Sequence, residues 1–440
     1  MGAHKYSRES SLKHFTSLFS EKRLTSHAGL TLMHRFWVNL KGESLVESEL
    51  GRLKADNSIY SLGTIITILL MGLIRGAKHI SHLNYLGQDH GLARLWNWVR
   101  FPVETTIIRT MNLFGQSEVT RLNDIFQIIR QKVWDKTWFG KVTVDLDSTV
   151  RTIWGHQEGA AIGYNPLHKG KLSYNPLVAF IAETREVLLG WLRPGDAFSA
   201  NGAVEFAKEA FARLPKQVWR IVVRADAAFF GGAFLDFLEH QGCLYIIKCK
   251  IRNYREMAEK HAHWRRSGVN RWTAFFSLAL PGWKKPRRFV AVRIQTGWRD
   301  EDSLFGPIPE YEYQLWVTNM DKSVNNSEEF YNQRATSENY FAQGKGQMGW
   351  AGMLTQHFWT NDALFQLGLM AYNLIVWFKL RFLPKGDQGQ EVETFRSRLI
   401  NVAGHIIHTG RRWFMDLGAD YPWQGLWQSI EARQLSDQPF

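Results

Sequence analysis

"KVTVDLDSTV", Lys141 to Val150, marks the point at which the chain changes character. Its β-branched residues alternate with others at the two-residue period of a strand, and two aspartates, Asp145 and Asp147, fall on one face of it. The residues before it follow another period. In "SLGTIITILLMGLIRGAKHISHLNYL", "GLARLWNWV", "VETTIIRTMNLFG" and "SEVTRLNDIFQIIRQKVW", apolar side chains recur three and four apart. That spacing predicts an all-helical region over 1–135 with short connections, Ser117 and Glu118 standing at one helix start.

After the strand come "LVAFIAE" and "EVLLGWL", a hairpin turning at Thr184-Arg185, then the helix "AVEFAKEAFARL". The strand "WRIVVRAD", the helix "GGAFLDFLEHQG" and the strand "CLYIIKCK" follow. Three strands, helix, strand, helix, strand is the order of the first part of a ribonuclease-H-like mixed sheet, whose first and fourth strands are neighbours. The expected fold class is therefore α/β, with the first part of the core over 136–249. "RWTAFFSLAL", "RRFVAVRIQT" and "YEYQLWVTNM" alternate again and predict an inserted β-rich subdomain over 250–326. Helices resume over 327–383, the second part of the core. The polar tract "PKGDQGQE" then leads into a tail, 384–440, in which "ETFRSRLINVAGHIIHTGRRWFMDL" is expected to be helical.

Composition narrows the function. With 45% hydrophobic and 14% aromatic residues the chain can bury a large core, and 54 Lys and Arg against 41 Asp and Glu give a net charge of +13, which favours a polyanionic partner. The first residues, "MGAHKYSRESSLKHF", lack the apolar stretch of a secretory signal. The most apolar run, "IITILLMGLI", is about half the roughly 20 residues of a spanning helix and predicts a buried helix, with no membrane partner. Cys243 and Cys249 sit at the two ends of one strand, about 20 Å apart by strand geometry, too far for a disulfide. They are expected to be core thiols in a reducing cytoplasm.

"YNQRATSENYFAQGK", Tyr331 to Lys345, is a polar stretch in this aromatic-rich chain. At about 100° per residue, Tyr331, Arg334, Glu338 and Lys345 fall within an arc of roughly 60° on one helix. Gly344 and Gly346 place Lys345 at or just past its end. An ordinary solvated face with an Arg334 to Glu338 pair accounts for only two of the four residues.

Tyr, two residues, Arg, three residues, Glu, six residues, Lys resembles the signature of the DDE insertion-sequence transposases that move DNA by cut and paste. The two aspartates that such a family requires stand upstream, Asp147 in "DLDST" and Asp226 in "VVRADAAFF", each at the end of a predicted strand. Asp145 shares the strand face of Asp147; the family's pattern of Asp followed by a small hydroxyl residue points to Asp147. The gap of 112 residues between Asp226 and Glu338 (338 − 226) is what an inserted subdomain would produce. The phrases "GHQEGAAIGYNP" (155–166) and "YPWQGLW" (421–427) resemble one subgroup, so the likeness covers most of the chain.

The resemblance implies that Asp147, Asp226 and Glu338 are the catalytic residues and hold two Mg²⁺, for which Mn²⁺ can substitute. Hard oxygen ligands suit those ions, which would sit about 4 Å apart to activate the attacking oxygen and stabilise the leaving one. It implies that Tyr331, Arg334 and Lys345 clamp DNA phosphates beside the cut. The partners implied are double-stranded DNA, as terminal inverted repeats and target, and a second copy of the chain. Residues 250–272 carry seven Lys or Arg against two Glu and are candidates for phosphate contacts. Trp264, Trp272 and Trp298 are candidates for stacking on a flipped base, against ordinary packing. The N-terminal helices either read the repeats or merely pack on the core, and Gln157 and Glu158 either touch DNA or order their loop. A stand-alone nuclease and an inactive DNA-binding descendant are the competing readings; a glycosidase leaves the basic excess without a reason.

Overall fold

The three- and four-residue spacing of the first part becomes helix. After the two-residue strand β1 (Leu24–Thr25) come α1 (Leu30–Asn39), α2 (Gly42–Leu50), α3 (Leu62–Arg75), α4 (Asn84–Gly87), α5 (His90–Leu95), α6 (Glu104–Met111) and α7 (Gln116–Trp134). The computed structural model describes residues 23–436 except 99, 136–139, 198–201, 250, 300–306, 351 and 353, together with Ser17 and Glu21, and only the backbone at 251–254, 299, 335–338 and 341. The run "IITILLMGLI" is the interior of α3, wholly buried, with Ser61 capping its start and Gly76 (φ +116°) its end. Glu118 reaches back to the Gly115 N–H at 2.9 Å and fixes the start of α7.

Next come β2 (Lys141–Ser148), the short strands β3 (Arg151–Thr152), β4 (Ala161–Ile162) and β5 (Leu172–Tyr174), and the hairpin β6 (Leu177–Ile181) to β7 (Val187–Trp191). Then α8 (Ala203–Ala212), β8 (Arg220–Ala225), α9 (Gly232–His240) and β9 (Leu244–Lys248) follow in the expected alternation. The insertion holds α10 (Ile251–His261), β10 (Arg265–Gly268), β11 (Arg271–Leu278), β12 (Arg287–Arg299) and β13 (Ile308–Thr318).

A single mixed sheet runs β10-β11-β12-β13-β9-β8-β2-β6-β7. β2, β8 and β9 are parallel neighbours, and the remaining pairs are antiparallel. The strands of the insertion thus have no sheet of their own, because β13 pairs with β9 and continues the central one. Helices cover both faces. Along β6, Leu177, Ala179 and Ile181 join the cluster that includes α8 and α9, and the alternate residues Val178 and Phe180 join the cluster of the N-terminal helices.

Beyond the insertion lie α11 (Val324–Asn332), α12 (Ala335–Gln347) and α13 (Phe358–Phe382), then α14 (Val392–Phe395), β14 (Gly404–Thr409), β15 (Arg412–Leu417) and α15 (Gln424–Ser436). α13 is long and apolar enough to cross a membrane, but 94% of its most apolar stretch is buried inside the protein. Two expectations are corrected here. Tyr331 to Lys345 is not one helix: the chain breaks at Gln333-Arg334, and α12 then continues through Lys345 to Gln347. The tail is not all helix either, since "GHIIHTGRRWFMDL" makes the hairpin β14–β15, to which β1 adds a third strand. Gly410 and Arg411 both take left-handed φ (+54° and +63°), the two-residue turn that reverses a strand.

Candidate active site at the carboxyl ends of β2 and β8

The parallel register of β2 and β8 pairs Asp145 with Arg224 and Leu146 with Ala225. Asp147, still in β2 and opposite Val178 of β6, and Asp226, just past the end of β8, each follow by one residue, so they lie side by side on strands about 4.8 Å apart. This carboxyl end of parallel strands is where open α/β sheets place ligands. Asp226 opens a single 3₁₀ turn and accepts the Ala228 N–H at 3.0 Å. Asp147 accepts the Ser148 N–H at 2.8 Å and keeps 17% of its side-chain surface exposed.

Asp145 has a different environment. Its two oxygens take Arg224 Nε at 2.6 Å and Nη2 at 2.8 Å, both side chains are buried, and the same guanidinium donates to Phe330 O at 2.7 Å. Sequence reasoning missed Arg224, although the signal was there: it precedes Asp226 by two residues, as Asp145 precedes Asp147, on the adjacent strand.

Arg334 stands at the junction of α11 and α12. Its Nη2 lies 2.9 Å from Asp147 Oδ2 and 3.4 Å from Leu146 O, and the residue is 5% exposed. Burial pulls its pKa down, but Asp147, Tyr331, Asp226 and Asp145 outweigh that and hold the guanidinium firmly charged. Lys345, half-buried in the last turn of α12, has its pKa lowered by burial, with Asp147 acting against the shift. Tyr331 is 8% exposed and packs on Trp316 of β13 at 5.6 Å between ring centres.

Asp147, Asp226, Arg334 and Lys345 are thereby gathered around one sheet end. Glu338 belongs to α12, one turn beyond Arg334, and its side chain lies outside the described residues. Among the described residues no three His, Cys, Asp or Glu side chains are grouped to hold a metal.

The other singled-out residues are also placed. Glu158 accepts the Phe358 N–H at 3.0 Å and its own N–H donates to Gln356 O at 2.9 Å, so it ties the 151–175 loop to the start of α13. Tyr421 donates to Arg398 O, and Trp427 is buried. Trp264 and Trp272 flank Arg293, whose guanidinium lies 4.6 and 5.5 Å from their rings, whereas Trp298 is 62% exposed. Cys243 and Cys249 are free and buried.

The family model described as transposase DDE domain group 1 matches residues 9–436. Among solved structures, the chain is similar to a piggyBac transposase in a synaptic complex with hairpin DNA. The TM-score is 0.50 and the identity 13%, over 94% of this chain and 83% of that one, a likeness of fold. No curated protein matches the sequence significantly.

Proposed function

The chain belongs to the transposase DDE domain group 1 family, and from that premise we propose that it binds the terminal inverted repeats of an insertion sequence, cleaves at its ends and joins them to target DNA. The observation that carries this reading is the emergence of Asp147 and Asp226 side by side at the ends of β2 and β8, with Arg334 against Asp147. The strand order β7-β6-β2-β8-β9, antiparallel then parallel, supports a ribonuclease-H-like core formed by 136–249 and 327–383, with 250–326 as its insertion.

The donor set fits a divalent ion. Asp147 and Asp226 are hard carboxylates at one sheet end, and Asp145, fully buried in a bidentate pair with Arg224 where Asp147 keeps 17% of its side-chain surface exposed, is the structural member of its pair. Asp147, Asp226 and Glu338 would hold two Mg²⁺ or Mn²⁺, which supply activation of the attacking oxygen and stabilisation of the leaving oxygen in an in-line displacement. Arg334 orients Asp147, and with Lys345 and Tyr331 sets cations and a hydroxyl beside the scissile phosphate. The basic segment 250–272 and the exposed Trp298 extend the DNA track, the first through phosphates and the second by stacking. Two ends handled together require at least a dimer on DNA, in the cytoplasm, where Cys243 and Cys249 stay reduced.

The test is cleavage by the purified chain of duplexes carrying the inverted repeats that flank its gene, with and without Mg²⁺. Strand-transfer products distinguish a transposase from a nuclease. Asp147→Asn, Asp226→Asn and Glu338→Gln should each lower cleavage by about 10²-fold or more while leaving DNA binding near wild type; Asp226→Asn and Glu338→Gln should also keep the melting temperature, whereas Asp147→Asn lowers it by leaving Arg334 buried beside a neutral partner. Cleavage undiminished in Glu338→Gln would refute the proposal.

A further inference from the structure

A cavity of about 150 Å³ lies behind α12, enclosed by the β6–β7 turn, the end of α13 and the loop over 384–391. Lys379 enters it from α13, 5% exposed, and donates to Gln390 O at 2.7 Å. Arg185 comes from the β6–β7 turn, donating to Gly389 O at 2.9 Å with its guanidinium 5.7 Å from the Tyr340 ring. Burial pushes the Lys379 ammonium down to about 8, and Arg185, a charge of the same sign, pushes in the same direction. Among the described residues the acid lining this cavity is Glu183, which is exposed and has both oxygens directed to the Thr143 N–H, at 3.0 and 2.9 Å. Gln390 Oε1 accepts from Arg398 at 2.9 Å, and its Nε2 is buried with no hydrogen-bond partner.

The buried Lys379 ammonium, with the half-buried Arg185 and the exposed Lys385 lining the same cavity and no acid paired to it among the described residues, lies beside an unused amide donor and is costly unless an anion completes the set. We infer that this cavity is a binding site for a tetrahedral oxyanion of the phosphate class, held by Lys379, Arg185 and the Gln390 amide. The volume takes several waters or one such ion. Tyr340 and Gln343 of α12 also line it, so the occupant touches the helix that Arg334 precedes. The site stands apart from the acidic edge, and its existence does not depend on catalysis there.

The experiment is thermal melting and calorimetric titration of the full chain with inorganic phosphate, and with sulfate, whose charge is constant over neutral pH, at fixed ionic strength against chloride. The wild type should show saturable binding and a matching rise in melting temperature. Lys379→Met and Arg185→Gln should each weaken it at least about tenfold, with Lys379→Met melting no lower than wild type in chloride, because a buried charge without a counter-ion has been removed. Absence of saturation in the wild type, or an equal rise in both variants as general ion exclusion gives, overturns the inference. So does a Lys379→Met protein that melts lower in chloride yet binds the anion as wild type does. If Lys379→Met does not fold, Arg185→Gln decides alone. A short duplex then identifies the source: competition with phosphate that vanishes in the variants points to a DNA backbone phosphate, and independent binding to the free ion; both results support the site.

Discussion

Asp145 and Asp147 stand two residues apart on one strand face and do different work, because the register puts Arg224 opposite the first and the open edge beyond the second. Asp145→Asn leaves the Arg224 cation buried without its partner and should cost about 3–5 kcal/mol of stability, read by denaturant unfolding. Asp226→Asn should unfold near wild type and lose cleavage, so that the two substitutions separate stability from chemistry. Asp362, in α13, adds a pH dependence. Burial, with Glu209 adding to it and the Gln366 hydrogen bond opposing, lifts its carboxyl to about 7 from the usual value near 4. Between those values the unfolded chain releases the proton while the folded chain keeps it, so its contribution is complete below pH 4 and is lost as pH rises towards 7. Unfolding free energies of wild type minus Asp362→Asn, measured from pH 4 to 8, should therefore fall by up to about 1.4 kcal/mol per unit until pH 7 and then level off.

At the scale of elements, Arg334 enters the site from the junction of α11 and α12. Gln333 and Arg334 keep helical dihedrals there, and the Arg334 N–H bonds Tyr331 O at 2.8 Å, so the two helices join through one tightened turn that leaves Tyr331 on Trp316 and Arg334 against Asp147. Arg396 holds that arrangement from the other end. Its guanidinium donates to Ile74 O at 2.7 Å, Leu73 O at 2.8 Å and Gln347 O at 2.6 Å, satisfying the last carbonyls of α3 and of α12 with one buried side chain. Arg396→Met removes these donors and should lower stability by about 2–4 kcal/mol. Hydrogen exchange at the carboxyl ends of α3 and α12 should rise more than elsewhere if the loss is local to those carbonyls.

For the whole molecule, one apolar cluster runs from Ala28 and Leu30 through α3 and α7 to α13, Phe395, Ile406 and Ile430. Glu186 reinforces it at the sheet, accepting from Trp134 Nε1 and Trp377 Nε1 at 2.8 Å each, with Arg130 at 3.6 Å. The N-terminal helices and the tail therefore share a core with α13. A chain ending at residue 391 should lose the cooperative melting transition in calorimetry and expose apolar surface to a hydrophobic dye; a truncated protein that melts as wild type would show the tail to be a separate unit.

The period of the hydrophobic pattern, the order of strands and helices, both aspartates at strand ends and the Tyr-Arg-Glu-Lys spacing were legible from the residues, because each is set by local geometry. The sequence reading missed the break at Gln333-Arg334, the Arg224 partner of Asp145, the β14–β15 hairpin and the joining of the insertion to the central sheet. Each depends on which distant segment supplies a partner: β1 for the hairpin edge, β9 for β13, a neighbouring strand for a buried carboxylate. Helical and strand spacing overlap in a short run such as "GHIIHTGRRWF", and there only tertiary pairing chooses, by satisfying backbone groups that burial has removed from water.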